Sequence, residues 1–235
     1  MTQGLLKSSP LFFLVASVGL AQSFRFGVEG GVPLTNEFHT ATVTLPGTLP
    51  GLPISASYSS GAKRYTVGAT AELDLPFHLA VKADVLYKRL GFTSESVDLL
   101  PAGAQMTVTG ATTANSWEIP LLGKYSMGKL GPLQPYVEGG ISFRTLQGVQ
   151  QTIMQVCPEC LTPVTQTTQT NSPAEVSHKF TKGVTAGAGI EFRHLLVGVF
   201  GEIRYTRWTA DAFSAANGAL NSTRNQADLL VGVTF

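Results

Sequence analysis

The stretch His178–Trp208, which reads HKFTKGVTAGAGIEFRHLLVGVFGEIRYTRW, decides the fold because its apolar and polar residues alternate. The alternation fills Phe180–Phe192 and returns in Leu195–Tyr205. Successive side chains of a strand point to opposite faces, so this period predicts two β-strands of about a dozen residues each. We expect them to meet in a tight hairpin at Arg193-His194. One face is apolar and ends in aromatic rings while the other is polar, which is typical of a transmembrane β-hairpin with lipid on one side.

The same two-sided pattern recurs eight times along the chain. The predicted strands are Phe24–Val32, Arg64–Leu75, Phe77–Phe92, Ser116–Tyr125, Leu133–Leu146, the two strands of the hairpin, and Asn225–Phe235. Pro120 cannot donate a ladder hydrogen bond, so it predicts a bulge or a local gap in pairing. Short and long links alternate, as periplasmic turns and external loops do in membrane barrels. The sequence therefore predicts an all-β fold, an eight-stranded antiparallel up-and-down transmembrane β-barrel.

Aromatic residues on the apolar parity provide an independent check of this arrangement. They fall at the outer ends (Tyr65, Tyr87, Trp117, Phe143, Phe180, Tyr205) and at the periplasmic ends (Phe24, Phe26, Phe77, Tyr125, Phe192, Phe235) of the predicted strands. Amphipathic rings favour the membrane–water interface, so the two sets predict two girdles. Tyr136 and Trp208 fall on the polar parity and are exceptions to this pattern.

The N-terminus has the features of a secretory signal peptide. Lys7 precedes an apolar run, and small residues stand before a cleavage point after Ala21. We therefore expect residues 1–21 to be a signal peptide and residues 22–235 to be the barrel domain. The formal net charge of +1 becomes 0 without Lys7, so no excess of basic residues indicates a nucleic-acid partner. The predicted location is the bacterial outer membrane.

The polar parity carries fifteen charged residues that we expect inside the barrel. They are Arg25, Glu29, Glu72, Asp74, Lys82, Asp84, Lys88, Glu118, Lys124, Glu138, Arg144, Glu191, Glu202, Arg204 and Asp228. Eight strands leave an interior just wide enough for side chains to fill, and charges that cannot reach water must pair. The favoured interpretation is a salt-bridged and closed interior. A narrow channel for small solutes is the alternative.

The two cysteines, Cys157 and Cys160, lie in the long link between the fifth and sixth predicted strands. A CxxC pair can be a redox centre or half of a zinc site, but a helix N-terminus or two further ligands would then be needed. In an oxidising compartment we expect a local disulfide instead. The sequence predicts no metal site and no cofactor.

Histidines are candidate catalytic groups because some eight-stranded outer-membrane barrels modify lipid A. His78 and His194 lie at predicted periplasmic turns, on the wrong side for that chemistry. His39 lies in an external loop, and His178 near the outer rim has Ser177 beside it, whose side chain would point to the opposite face. We therefore predict no catalytic residue, and lipid A modification stays the least favoured function.

Two segments carry a family resemblance. Ser116-Trp-Glu-Ile-Pro-Leu-Leu-Gly-Lys-Tyr125, followed by Pro135-Tyr-Val-Glu-Gly-Gly140, is similar to the PorT-like outer-membrane β-barrel family. The end of the chain also resembles small bacterial outer-membrane barrels through Leu229, Val231, Val233 and Phe235. That resemblance implies insertion by the barrel-assembly machinery, with these four residues as the assembly signal.

The predicted function is a non-enzymatic outer-membrane protein that acts in envelope structure or in surface interaction through its external loops. Outer-membrane lipid and lipopolysaccharide are the expected surroundings, and Lys63, Lys182 and Arg207 near the outer rim are candidates to meet lipid phosphates. A soluble periplasmic carrier is disfavoured because such a barrel would be apolar inside and polar outside. No external partner can be named from the sequence.

Overall fold

The computed structural model describes residues 23–46, 53–100, 103–194, 197–215 and 218–235. The strands within them are β1 (Phe24–Pro33), β2 (Phe38–Thr40), β3 (Thr42–Pro46), β4 (Pro53–Ser60), β5 (Thr66–Asp74), β6 (Leu79–Leu99), β7 (Gln105–Ser126), β8 (Leu133–Cys157), β9 (Val164–Thr170), β10 (Phe180–His194), β11 (Val197–Trp208), β12 (Leu220–Ser222) and β13 (Asn225–Thr234). The predicted signal peptide lies outside the described residues. In the described ranges, no helix is long and apolar enough to cross a membrane.

Eight of these strands close into a barrel. Each pairs antiparallel with its neighbours in the order β1, β5, β6, β7, β8, β10, β11, β13 and back to β1. The closing pair runs from Gly27 opposite Thr234 to Pro33 opposite Asp228. The prediction of an eight-stranded antiparallel up-and-down β-barrel is therefore confirmed, and both ends of the paired chain lie at the same rim.

Two predicted turns are misplaced. Arg193 and His194 are not the hairpin turn, because they pair with Gly198 and Val197. Strand pairing continues through both residues, so Arg193 and His194 belong to β10. Phe77 does not begin a strand either: Phe77 and His78 both have φ of 64°, and this left-handed backbone reverses the chain before β6.

The long external loops predicted after the third and fifth strands are largely β-structure. β6 and β7 stay paired up to Leu99 opposite Gln105, and β8 runs for 25 residues to Cys157. The Gln- and Thr-rich segment assigned to a loop is β9, which pairs with β8. These extensions project beyond the lipid, so the apolar alternation that reveals a membrane strand is absent from them, whereas main-chain pairing does not require it.

The extensions build a second sheet region above the barrel. There β4 takes the place of β5 beside β6, and β9 takes the place of β10 beside β8. The order β3, β4, β6, β7, β8, β9 makes a six-stranded structure that we call the wall. Its two edge strands are β3 and β9. The wall therefore projects above one side of the barrel only.

Pro120 occupies the position of a local gap in pairing. Between β6 and β7 the register continues from Ala83 opposite Leu121 to Leu86 opposite Glu118, with the intervening pairs missing. On its other side Pro120 pairs with Ser142. The ladder is interrupted where proline has no N–H to donate, as predicted for one of the two alternatives.

Aromatic side chains form the two girdles that alternation predicts. Tyr87 and Trp117 face each other across β6 and β7 with ring centroids 5.2 Å apart, and Phe143 stacks on Phe180 at 6.1 Å. Valines, leucines and isoleucines on the same face between the girdles are 39–63% exposed, for example Val137 and Val184. Such an apolar outer belt suits contact with lipid acyl chains.

An apolar cluster that we call the lid packs at the external end of the barrel. It joins side chains of the barrel strands to side chains of two connections, and its buried members are Phe38, Leu90, Phe92, Ala114, Leu146, Val149, Ala212, Phe213 and Leu220. The rings of Phe38, Phe92 and Phe213 pack edge to face, with centroids 5.5–5.7 Å apart. The short pairing of β2 with β12 holds the two connections together over the mouth.

Candidate functional site

The charged interior is the most elaborate polar feature of the described chain. All fifteen residues predicted to face inward lie inside the barrel; thirteen are buried, and Arg25 and Asp74 are half-buried at the periplasmic rim. Every one of them has an oppositely charged partner within 4.0 Å. The salt bridges divide the interior into three layers along the barrel axis.

The lower layer, at the periplasmic end, comprises Arg25, Glu72, Asp74, Lys124, Glu191 and Arg193. The Arg25 guanidinium forms salt bridges with Glu72, Glu191 and Asp74, each at 2.7 Å. Lys124 donates to Glu72 and Glu191 from the other side at 3.0 and 2.9 Å. Three bases meet three acids, so the charges of this layer balance and the acids are bridged from two directions.

The middle layer comprises Glu29, Lys82, Asp84, Glu138, Glu202 and Arg204. Lys82 Nζ lies 3.0 Å from Glu202, 3.6 Å from Glu29, 3.7 Å from Glu138 and 3.9 Å from Asp84. Arg204 bonds Glu202, Asp84 and Glu138. Four acids thus face two bases, and both carboxyl oxygens of Glu29 accept no hydrogen bond from any described residue. This layer carries the larger part of the acidic excess of the interior.

The upper layer, beneath the lid, comprises Glu37, Lys88, Glu118, Arg144 and Asp228. Lys88 donates to Asp228 at 3.0 Å and lies 3.4 Å from Glu118, which Arg144 also binds. Glu37 enters from the connection after β1, 3.9 Å from Lys88. Burial has the largest effect on the pKa of the Glu37 carboxyl and raises it, while Lys88 opposes this rise.

Residues that the sequence did not assign to the interior complete these layers. Tyr136, an exception in the girdle pattern, is 2% exposed, donates to Glu202 at 2.6 Å, and places its ring 4.1 Å from Lys124 Nζ. Trp208, the other exception, donates to Gln226 and stacks on Arg144. Their inner parity was the signal that could have assigned them. Glu37 had no comparable signal because it lies in a connection.

Comparison with known protein families identifies an outer-membrane β-barrel as well. The family model for the outer membrane protein beta-barrel domain matches residues 20–207. The chain belongs to this outer-membrane β-barrel family. No curated protein matches it. Among solved structures, the crystal structure of Neisserial surface protein A aligns over 91% of this chain and 97% of that chain, with 10% sequence identity and a TM-score of 0.38. Membership of the outer-membrane β-barrel family makes the protein an integral protein of the bacterial outer membrane, and its eight barrel strands cross that membrane.

The cysteines of this outer-membrane barrel lie at the tip of the wall. Cys157 ends β8 and is bonded to Cys160, with Cα atoms 5.5 Å apart, in the turn that leads to β9. Within the described part of the chain, no group of three or more His, Cys, Asp and Glu side chains has the arrangement of a metal site. The disulfide ties the hairpin of β8 and β9 at its external end.

The histidine considered for lipid modification has partners that differ from those of a catalytic base. His178 Nδ1 lies 2.9 Å from the main-chain oxygen of Asp211. The neighbouring Ser177 hydroxyl pairs with Ser214 at 2.5 Å, and the Glu175 carboxylate binds Gln151. The three groups therefore make separate contacts. The structure does not bring them together as a nucleophile, a base and an orienting acid.

The remaining predicted residues lie on the outer surface. Leu229, Val231 and Phe235 are 40%, 59% and 64% exposed on the lipid-facing side of the last strand and its end, with Val233 between them. Phe235 is held by two main-chain hydrogen bonds to Phe26. Lys63, Lys182 and Arg207 are exposed near the outer girdle.

Proposed function

We propose that this outer-membrane barrel is a non-enzymatic protein with a closed interior, which acts in envelope structure or in surface interaction through its external part. The observation that carries the proposal is the stack of three ion-paired layers under an apolar lid. Lys82 and Lys88 at its centre are each 2% exposed, although lysine is almost never buried without partners. A conducting pore keeps its charged side chains in contact with water, and these side chains lack that contact.

The external part supports a role in surface interaction. β6, β7 and β8 are 21, 22 and 25 residues long, about twice the 9–11 residues that a transmembrane strand needs. Much of each strand therefore projects beyond the lipid belt as the wall. The disulfide of Cys157 and Cys160 limits the freedom of its tip. An ordered projection of this kind offers a fixed surface to a partner at lower entropic cost than mobile loops.

Several expectations about surroundings belong to the same proposal. The girdles suit outer-membrane lipid, and the exposed cations Lys63, Lys182 and Arg207 suit the phosphates of lipopolysaccharide. The exposed apolar residues at the end of the chain suit recognition by the barrel-assembly machinery. Within the outer-membrane β-barrel family, the segments Ser116–Tyr125 and Pro135–Gly140 support a PorT-like assignment.

Solute flux tests the closed interior against the channel alternative. The mature protein is refolded into liposomes, its folded state is verified by heat-modifiable gel migration, and efflux of small ions and sugars is recorded. We expect no flux above that of empty liposomes. The Phe213→Ala variant removes part of the lid but leaves the ionic layers, so we expect no solute flux through it either. Flux through the folded wild-type protein would overturn the closed interior and establish a channel.

A further inference from the structure

The inner face of the wall borders a cavity of about 380 Å³ that we call the mouth pocket. Its lining includes Ala56 and Tyr58 of β4, Val108 of β7, Ile153 and Gln151 of β8, and Glu175 of the connection between β9 and β10. It lies beside the lid, since Tyr58 packs against that cluster with its ring centroid 6.1 Å from that of Phe92. Small-molecule sites commonly have volumes of about 300–1,000 Å³.

Glu175 is held in place at the pocket by contacts in two directions. Gln151, which is 4% exposed, donates from Nε2 to both Glu175 carboxylate oxygens at 3.2 Å. The Glu175 main-chain carbonyl accepts a hydrogen bond from the Ser214 amide at 2.8 Å, and Val176 forms a bridge to Phe213 of the lid. An ionised carboxylate has about four acceptor positions, so this support leaves positions for a further donor. The acid is therefore oriented before any ligand arrives.

The charged residues that line the pocket are all acidic. Its described lining holds two acids, Glu95 and Glu175, and no lysine, arginine or histidine. Glu95 is exposed and lies on the strand parity that faces the opposite side of the wall, so Glu175 is the charge presented to the pocket. Because a charge removed from water needs a partner, an anion or a neutral apolar molecule in this pocket would leave the carboxylate uncompensated.

The rest of the lining adds apolar and aromatic contacts. Val108, Ile153 and Ala56 offer hydrocarbon surface, and the Tyr58 ring offers a π-face that attracts cations. Burial raises the pKa of the Tyr58 hydroxyl, and the Glu175 charge adds to that rise, so the hydroxyl keeps its proton and can donate a hydrogen bond. The lining thus matches a ligand with an apolar body and one positive charge.

We propose that the mouth pocket binds an organic ammonium compound, with its cation at Glu175 and Tyr58 and its apolar part against Val108 and Ile153. A bare metal ion does not fit this description, because no metal-ligand cluster exists in the described part of the chain. The site deepens the proposed role in surface interaction and rests on it, since it places a receptor-like cavity on the external side of the barrel. It does not depend on whether the interior conducts.

Three matched probes test this assignment with the full mature protein in lipid nanodiscs. 2-Phenylethylammonium carries the ring and the cation, 2-phenylethanol is its neutral counterpart, and 3-phenylpropionate is an anionic counterpart. Titration calorimetry with each probe gives the dissociation constant. We expect saturable binding of the ammonium, with affinity at least about tenfold above that of the alcohol and of the anion, which corresponds to about 1.4 kcal/mol.

Two variants locate the binding, and one controls for general acidity. Glu175→Gln keeps the shape of the side chain and removes its charge. Gly110→Leu projects a side chain between Ser94 Oγ and Gln151 Nε2, which lie 2.5 and 3.9 Å from the position of a Cβ at Gly110, and so fills the pocket. We expect each variant to weaken ammonium binding at least tenfold. Glu159→Gln removes an exposed acid at the disulfide turn and should leave binding unchanged.

Three outcomes would contradict the proposed binding site. Equal affinity for the three probes, no saturable binding by protein shown to be folded, or an equal loss in Glu159→Gln and Glu175→Gln would each overturn the site. If Gly110→Leu does not fold, Glu175→Gln still decides the matter alone. Solute flux through the barrel would refute the closed interior without affecting this site, so the two proposals can fail independently.

Discussion

Replacing Lys82 with methionine removes a cation that lies between 3.0 and 3.9 Å from four buried carboxylates. Methionine retains the apolar stem, but Arg204 is then the single base opposite the four acids of the middle layer. Removing one partner of a buried ion pair costs about 3–5 kcal/mol, because the other charge stays buried without compensation. We expect the free energy of unfolding of Lys82→Met to fall by about that amount.

Glu29 provides the complementary test. Its two carboxyl oxygens accept no hydrogen bond from the described residues, and Lys82 lies 3.6 Å away. Glu29→Gln removes one acid from a layer with too many and breaks no hydrogen bond, so we expect its stability to stay within about 1 kcal/mol of wild type or to rise. In Lys82→Met/Glu29→Gln we expect recovery of at least about 1 kcal/mol, since contacting residues couple by about 0.5–3 kcal/mol.

Urea unfolding in lipid vesicles, followed by tryptophan fluorescence, measures these free energies. Trp208 is buried at the upper layer and reports on the interior, and Trp117→Phe as a common background leaves it as the single tryptophan. Lys129→Met at an exposed periplasmic turn is the matched control and should change stability by less than about 0.5 kcal/mol. A loss below 1 kcal/mol in Lys82→Met, with no recovery in the double variant, would refute the reasoning that the interior is stabilised by compensated charge.

Three further changes probe the packing of the barrel strands, the lid and the disulfide. Gly189→Val should abolish the heat-modifiable folded band, because a Cβ there would lie 2.5 Å from the Tyr136 ring, whereas Gly139→Val, with its nearest atom at 3.6 Å, should fold normally. Phe213→Ala should lower the unfolding free energy by about 3 kcal/mol and make the connections over the mouth sensitive to protease, as expected for loss of a packed ring; unchanged proteolysis would contradict the lid. Cys157→Ser opens a short ring and should cost at most about 2 kcal/mol in unfolding measurements, so a larger loss would assign the disulfide a wider structural role.

The sequence determined the barrel itself. Alternation fixes which side chains of a strand share a face, and a one-residue slip would move all of them, so the fifteen interior charges from Arg25 to Asp228 could be assigned from the sequence alone. The number of strands and their up-and-down order follow from the count of alternating segments and the links between them. Even Pro120 could be assigned to a defect in pairing, because the missing N–H is a property of the residue itself.

Tertiary structure decided everything that alternation does not encode. The wall lies beyond the lipid, so β9 and the extensions of β6, β7 and β8 carry no apolar period. Glu37 joins the upper layer and Phe213 joins the lid because connections fold back over the mouth, and contacts between residues far apart in the sequence leave no local trace. The stagger of eight strands around a closed circle decides which acid meets which base. It also places the larger part of the acidic excess around Glu29. Side-chain parity follows from the chain alone, whereas the height of each charge in the barrel exists only once the barrel has closed.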